Sequence, residues 1–450
     1  MAFTPQQAIL ELGDAFYDPV AAAAFPQTVL RFRNDRAAAE VGLDGLSDAE
    51  WIAHFGRFEP LPGSLAQPLA LRYHGHQFRV YNPEIGDGRG FLFAQMTDSR
   101  GRLMDLGTKG SGQTPYSRFG DGRLTLKGGV REILATEMLE ALGVETSRSF
   151  SLIETGEQLQ RGDEPSPTRS SVLVRLSHGH IRIGMFQRAA FFKDGESLKR
   201  LTDYVLRHYF GEEPGSDGPA RLLAQVARRT ARMAGRFMAA GFVHGVLNSD
   251  NINVTGESFD YGPWRFAPSW DARFTAAYFD HAGLYAFGRQ AEAIYWDAMQ
   301  LAISLRQIAD EDALIEALDG FPEAYRSEVA AALLWRLGVL PQSAESDRAL
   351  VAALETALAE SQVPLDRFFF DAFGGHLPES YGEAFAELRG RLAGYAPRKG
   401  RDHPYWSDAE PCAILIDEVE AIWARIAEAD DWGPLETKIA AIRRLGEALA

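Results

Sequence analysis

The chain has 450 residues, of which 46% are hydrophobic and 24% are charged, a balance typical of a folded globular protein. Its 46 basic and 62 acidic side chains give a formal net charge of −16. This charge argues against non-specific nucleic-acid binding, because such binding needs basic surface to neutralise phosphates, but it still allows a local basic pocket for a nucleotide.

The cysteine content and the N-terminal sequence help to predict the cellular compartment of the protein. The single cysteine, Cys412, allows neither an internal disulfide nor a cysteine-based zinc cluster. The stretch MAFTPQQAILELGDAFYDP has no basic segment followed by an apolar core, so we expect no signal peptide. No apolar run approaches the roughly 20 residues that span a bilayer. We therefore expect a cytoplasmic protein without a membrane partner.

The predicted elements fall into two halves. After a mixed segment, residues 1–65, the stretches FLFAQM, RLMDLGTKG, SFSLIETGEQL and SVLVRLS predict strands, and GGVREILATEMLEALG predicts one helix that closes at Gly143. Beyond about residue 195 the apolar residues recur at helical spacing. The pattern predicts an α+β, protein-kinase-like bilobal fold: a β-rich small lobe with one main helix, and a mostly helical large lobe.

This division gives three predicted segments. Residues 1–65 are predicted to be an N-terminal extension packed on the kinase-like core. Residues 66–190 are predicted to form a nucleotide-binding small lobe. Residues 191–450 are predicted to form the helical large lobe, which carries a catalytic and metal-binding loop at 244–262.

Two glycine-rich segments in the first half are candidate phosphate sites. EIGDGRG contains Gly86, Gly88 and Arg89, and RFGDGR contains Asp121 and Gly122 directly before the predicted helix. Glycines let backbone N–H groups approach a phosphate closely, and helix N-termini attract anions. Both segments are also compatible with simple turns, one between strands and one leading from a strand into a helix.

Four charged side chains complete the candidate small-lobe site. Lys109 ends a predicted strand, where a lysine in kinases contacts nucleotide phosphates, and Glu132 on the next helix is a better partner for it than Glu137. Arg175 and Arg182 lie in or just after an apolar strand, where a buried arginine needs an anionic partner. A phosphate would supply that partner.

The most informative stretch is HGVLNSDNINVTGESFDYG, residues 244–262. It resembles a kinase catalytic loop and metal-binding segment, but Val246 occupies the position of the usual catalytic aspartate. Asn251 and Asp260 supply the amide and carboxylate oxygens that a magnesium ion prefers. Asp250, adjacent to Asn251, is the remaining candidate for a proton acceptor.

Taken together, these motifs resemble one known family. YHGHQF, IGDGRG, DLGTKGSGQTPYSRFGDGR, VREILATEMLEALGVETSRSF, RLSHGHIRIGMF, HGVLNSDN and FDYGP occur in the order found in the selenoprotein O (YdiU) family, across roughly residues 65–300. The resemblance implies a protein adenylyltransferase on a kinase-like fold, which moves AMP from ATP, or UMP from UTP, to Ser, Thr or Tyr hydroxyls of other proteins. The nucleotide is expected to lie inverted relative to a kinase.

The resemblance also implies a role for each candidate residue. Asp250 would accept the proton of the attacking hydroxyl, and Asn251 and Asp260 would hold Mg²⁺ or Mn²⁺. The nucleotide would be held by a larger set, with Glu132 as the partner of its lysine: Gly86, Gly88, Arg89, Lys109, Asp121, Gly122, Arg175 and Arg182.

Two other functions remain open from the residues. A kinase could use Asp250 as the base for transfer of the γ-phosphate, although Val246 at the usual aspartate position argues against it. A non-catalytic pseudokinase could bind nucleotide alone, although such a protein has no need for the lysine and the metal ligands. The identity of the phosphate that stays on the acceptor separates these alternatives.

Overall fold

The computed structural model describes all residues, Met1–Ala450. Thirteen strands form, of which nine belong to one sheet: β1 Pro5–Gln6, β2 Tyr17–Pro19, β3 Val29–Arg33, β4 Leu69–Leu71, β5 Gly75–Gln77, β6 Val80–Asn82, β7 Leu92–Thr97, β8 Leu103–Lys109, β9 Leu124–Thr125, β10 Arg148–Leu159, β11 Thr168–Ser177, β12 Phe242–Val243 and β13 Arg265–Phe266. Fourteen α-helices accompany them, eleven of them after residue 180: α1 Asp35–Val41, α2 Asp48–Phe55, α3 Leu126–Ala141, α4 Ile183–Phe191, α5 Gly195–Val205, α6 Gly218–Ala240, α7 Gln290–Leu305, α8 Glu311–Asp319, α9 Phe321–Leu337, α10 Ala344–Ser361, α11 Leu365–Ala372, α12 Ala386–Leu392, α13 Ile416–Ala429 and α14 Gly433–Leu449.

The nine-stranded sheet is the centre of the first half. Its order is β2-β4-β7-β8-β11-β10-β3, with β1 added beside β7 and β9 beside β11, and every pairing is antiparallel. The four strands predicted from FLFAQM to SVLVRLS correspond to β7, β8, β10 and β11, and the helix predicted between them is α3. The α+β class and the division into a β-rich and a helical half are confirmed.

Helix α3 is the main helix of the β-rich half. Thr125 caps its first turn by accepting a hydrogen bond from the N–H of Gly128, and Gly143 follows its end with a left-handed φ of 76°. The helix is buried along most of its length between the sheet and α14. Glu137 of α3 pairs with Arg443 of α14, which leaves Glu132 as the acidic residue that reaches the sheet lysine.

Residues 1–65 join the same sheet rather than lying only on its surface. They contribute β1, β2 and β3, which pair with β7, β4 and β10. Helix α2 covers one face of the sheet, where the Trp51 ring stacks on Phe150 at 4.8 Å and its indole N–H donates to Ser151. Burial of such aromatic side chains stabilises this face by about 2–3 kcal/mol for each ring.

The helical half is built around α6, the longest helix, which contacts α7, α8 and α9. It ends at Gly241, whose φ of 69° lets the chain turn sharply into β12. The 244–262 loop begins directly after β12 and is therefore held at the end of a buried helix. No helix in the structure combines the length and apolar character needed to cross a bilayer.

Candidate active site

A cavity of about 700 Å³ opens where the 244–262 loop faces the sheet. Such a volume lies within the range of small-molecule sites in proteins. Ten of the twelve predicted site residues line it: Gly86, Gly88, Arg89, Lys109, Asp121, Gly122, Arg175, Arg182, Asp250 and Asp260. Glu132 lies behind Lys109, and Asn251 is adjacent to Asp250 but does not line the cavity.

The charge of the cavity is opposite to that of the whole chain. Seven cationic side chains line it against four acidic ones, although the chain as a whole carries −16. The cations are Arg89, Lys109, Arg118, Arg123, Arg161, Arg175 and Arg182. A concave site lined by excess positive charge inside an acidic protein favours a small polyanion.

Two of these arginines are almost completely buried. Arg182 donates to the backbone carbonyl of Asp250 at 3.0 Å and to Asp87 at 3.3 Å, and its guanidinium lies 4.4 Å from the Tyr73 ring centre. Arg175 donates to Asp260 at 3.3 Å. The Nε of each arginine is buried without a hydrogen-bond partner. Both arginines line a cavity in which cationic side chains outnumber acidic ones, so an anion bound there would complete their set of partners.

Lys109 connects the sheet, α3 and the 244–262 loop. Its ammonium group contacts the carboxylates of both Glu132 and Asp260, the latter at 2.6 Å. Burial alone would raise the pKa of Asp260, but Lys109, Arg175 and Arg182 together hold that pKa well below its usual value. Asp260 is therefore ionised, as a ligand of a divalent cation must be.

An unusual backbone conformation places the Asp260 side chain at the cavity. Asp260 has a left-handed φ of 63°, which a non-glycine residue adopts only at a cost of about 1–3 kcal/mol. His244 stabilises this conformation, because its imidazole Nε2 donates to the carbonyl of Phe259 at 2.9 Å. The His244 of the HGVLNSDN motif thus supports the segment that carries Asp260 and does not itself line the cavity.

Asp250 has the properties of a proton acceptor. Burial raises its pKa to about 6, and Arg182 opposes part of this rise. Its Oδ1 atom is buried and has no hydrogen-bond partner within the chain. A carboxylate that lines a cavity and whose pKa is raised by burial is suited to general-base catalysis.

The donor atoms around Asp250 fit a divalent cation. Asp250 and Asp260 present carboxylate oxygens to the cavity, and the amide N–H of Asn251 donates to the carbonyl of Val246 at 3.1 Å, while the amide oxygen accepts no hydrogen bond within the chain. Oxygen ligands are the set preferred by Mg²⁺ and Mn²⁺. No group of three or more His, Cys, Asp or Glu side chains is placed to hold a metal ion, so a cation here would need the Asn251 amide, water or phosphate oxygens as further ligands.

The predicted glycines are needed for a close approach between two loops. A Cβ at Gly86 would lie 2.5 Å from the Tyr116 ring, and a Cβ at Gly88 would lie 2.9 Å from the Tyr116 carbonyl. Gly122 has a φ of 70° and touches the backbone of Gly112. These glycines therefore allow the segment around Tyr116 to close one side of the cavity, in addition to lining it.

Two residues that line the cavity, Arg161 and Asp87, were not predicted from the sequence. Arg161 lies in a polar loop that carried no motif, and it pairs with the predicted Asp121, which is exposed at the rim of the cavity. Asp87 stands between the two predicted glycines of EIGDGRG, accepts hydrogen bonds from Leu71 N–H and from Arg182, and is buried. The position of Asp87 between two predicted glycines could have identified it as a site residue. No sequence pattern could have identified Arg161.

The comparison with protein families assigns the chain. Residues 1–379 match the family described as "Protein adenylyltransferase SelO". The chain belongs to the SelO family. Among its SelO-family relatives, a protein of Synechocystis named "Protein nucleotidyltransferase YdiU" is 41% identical over 96% of both chains. A protein of the same name from Gloeobacter violaceus is 44% identical over 98% of this chain and 95% of its own.

The SelO-family chain also has distant structural neighbours. A rhoptry antigen kinase domain of Toxoplasma gondii superimposes with a TM-score of 0.28 and 12% identity, covering 59% of this chain and 84% of that domain.

The resemblance to the SelO family expected from the motifs is confirmed by the family match, which extends it from residues 65–300 to residues 1–379.

Proposed function

We propose that this SelO-family enzyme is a protein adenylyltransferase that transfers AMP from ATP to Ser, Thr or Tyr hydroxyls of target proteins, with UTP as an alternative donor. The observation that carries the proposal is a single cavity in which the buried Arg175 and Arg182 lie beside the carboxylates of Asp250 and Asp260, with cationic side chains in excess. This arrangement fits a polyphosphate bound next to a proton acceptor.

In this proposal four cationic side chains of the cavity hold the nucleotide: Arg89, Lys109, Arg175 and Arg182. Arg175 and Arg182 neutralise phosphate charge in a buried environment, where electrostatic interactions are stronger than in water. Lys109 is held by Glu132 and Asp260 and is positioned to contact a second phosphate. When bound by Asn251 and Asp260, a Mg²⁺ or Mn²⁺ ion supplies Lewis-acid neutralisation of the phosphates.

The reaction proceeds by attack of the acceptor hydroxyl oxygen on the α-phosphorus. Asp250 takes the hydroxyl proton as the new P–O bond forms. The bond between the α-phosphorus and the oxygen that bridges it to the β-phosphorus breaks, and pyrophosphate leaves with that oxygen. Arg175, Arg182 and Lys109 stabilise the negative charge that builds on the phosphates. An inverted nucleotide places the α-phosphorus at Asp250, which explains why Val246 can stand where a kinase carries its base.

We expect label from [α-³²P]ATP to be retained on acceptor protein and label from [γ-³²P]ATP to be released. The reason is that the α-phosphorus is the one attacked and the γ-phosphate leaves within pyrophosphate. The measurement is autoradiography of purified chain incubated with a mixed protein acceptor and each nucleotide in turn. Retention of the γ label alone would show a kinase, and no retained label from either nucleotide would show a non-catalytic protein.

We also propose the domain assignment predicted from the sequence, with residues 66–190 as the nucleotide-binding lobe and residues 191–450 as the lobe that carries the 244–262 loop. The cavity supports it, because its cationic side chains come from residues 89–182 whereas Asp250 and Asp260 come from the loop. Residues 1–65 support the first lobe through β1, β2 and β3.

A further inference from the structure

A short hairpin lies directly beside Asp250. Strands β5 and β6 form this hairpin, and a Cβ on Gly75 would lie 2.9 Å from the Oδ1 of Asp250. Two backbone N–H groups fasten it to the 244–262 loop, because His76 donates to Ser249 at 2.7 Å and Phe78 donates to Asn248 at 3.0 Å. The hairpin is therefore fixed relative to the proton-accepting carboxylate.

The turn of this hairpin is strained. Its two central residues, Phe78 and Arg79, have left-handed φ values of 50° and 63°. Two-residue hairpin turns with positive φ at both positions are dominated by Asn and Gly, so two large side chains here are unusual. Strained non-glycine residues cluster at functional sites, which suggests that these side chains are needed where the turn places them.

The turn side chains hold the hairpin against two neighbouring elements. The Phe78 ring lies 5.0 Å from the Tyr285 ring and 5.8 Å from the Phe279 ring. Arg79 pairs with Glu292 of α7 at 3.1 Å and lies 5.4 Å from the Trp296 ring. Arg79 shares the Glu292 carboxylate with Arg289, whereas Phe78, the other side chain of the turn, makes only aromatic contacts.

Residues 276–285 form the second wall of this surface. The Asp280 carboxylate accepts hydrogen bonds from the N–H groups of Leu284 and Tyr285, and the Tyr285 hydroxyl donates to Asn248 at 2.7 Å. Asn248 therefore ties both walls to the 244–262 loop. Between them they leave three apolar side chains in solvent: Val80 is 69% exposed, Tyr278 is 78% exposed and Phe279 is 42% exposed.

The position of these three exposed side chains indicates which kind of molecule binds over them. Gln77 lines the same cavity as Asp250 and is the strand partner of Val80, so the hairpin that carries Val80 borders the cavity. An acceptor hydroxyl has to reach Asp250 while the rest of its chain stays outside. Large exposed apolar groups beside such an opening are typical of a binding surface.

We propose that Val80, Tyr278 and Phe279 form the acceptor-docking surface, which binds an extended segment of a protein substrate through an apolar side chain close in sequence to the modified hydroxyl. This inference rests on the proposed adenylyltransferase function and specifies its substrate class. It assigns substrate selection to apolar contact, because the hairpin and residues 276–285 expose three large apolar side chains, Val80, Tyr278 and Phe279.

The test uses the full-length chain, [α-³²P]ATP and a library of peptides with one central Ser, Thr or Tyr and randomised flanking positions. We expect the wild-type chain to favour Leu, Ile, Val or Phe at one or more flanking positions. The double variant Val80→Ser/Tyr278→Ser should lose that preference, with the KM for a favoured peptide raised at least about tenfold and the KM for ATP unchanged. Ile315→Ser, an exposed apolar residue of α8, is the matched control and should behave like the wild type.

Three results would overturn the inference. Label transfer without an apolar preference, or with the same preference in the double variant, would remove the docking surface and leave the adenylyltransferase function in place. Sedimentation showing a wild-type dimer that the double variant dissociates would show that a second copy of the chain covers this surface. Absence of α-label transfer to every peptide would remove docking of an extended segment, and its absence from the mixed protein acceptor as well would refute the proposed function.

Discussion

Replacement of Asp260 by Ala or Asn is expected to reduce AMP transfer at least about 10³-fold, which corresponds to roughly 4 kcal/mol of activation free energy. Asp260 is the ionised carboxylate on which Lys109 and Arg175 converge, and it is one of the two proposed metal ligands. The Asn variant keeps the shape of the side chain and removes only its charge. The measurement is the initial rate of AMP transfer over a titration of Mg²⁺ and of Mn²⁺.

Glu154→Gln is the matched control for Asp260. Glu154 also joins two cations, Arg31 and Arg169, but it lies on β10 outside the cavity. Because Glu154 and its two arginines are largely withdrawn from solvent, we expect this control to lose about 1–3 kcal/mol of unfolding free energy and to keep its transfer rate. Full activity of the Asp260→Ala variant, with an unchanged metal dependence, would remove Asp260 from the proposed ligand set.

The second large effect is expected at the pair Lys109 and Glu132. Glu132 is 1% exposed, so Lys109→Met would leave a buried carboxylate without its cation and lower the free energy of unfolding by about 3–5 kcal/mol. The same substitution removes a phosphate contact, so we expect AMP transfer to fall at least about 10²-fold. Urea unfolding and initial transfer rates, measured on the same preparation, report the two effects.

The double variant Lys109→Met/Glu132→Gln separates stability from catalysis. Because Gln carries no charge, it should recover most of the lost unfolding free energy while transfer stays at the level of the single variant. Recovery of both stability and transfer would mean that Lys109 serves the fold alone. Recovery of neither would mean that the Glu132 carboxylate has a further role of its own.

The sequence predicted the elements that carry strong periodicity or a motif. The alternation in RLMDLGTKG placed Lys109 at the end of β8, and the helical pattern after it placed Glu132 on α3, so the structure could bring the two together as expected. Helical spacing after residue 195 predicted α6, α7, α9, α10 and α14 for the same reason. A local sequence pattern is enough to predict where a side chain lies when a single helix or strand determines its position.

Features that depend on distant contacts could not be predicted in this way. Strands β1 and β2 have two and three residues, too few to show alternation, and they form only because β7 and β4 offer them an edge. Arg161 reaches Asp121 from a loop forty positions away. The Phe78-Arg79 turn lacks the Asn-Gly signature by which such hairpins are recognised.

The most direct test of the account is a crystal structure of the chain with a non-hydrolysable ATP analogue and Mn²⁺. We expect the α-phosphorus to be the phosphorus nearest to the Asp250 carboxylate, with Asn251 and Asp260 bound to the cation and the two outer phosphates contacting Arg175, Arg182 and Lys109. A γ-phosphorus nearest to Asp250, or a cation bound without Asn251 and Asp260, would contradict the account.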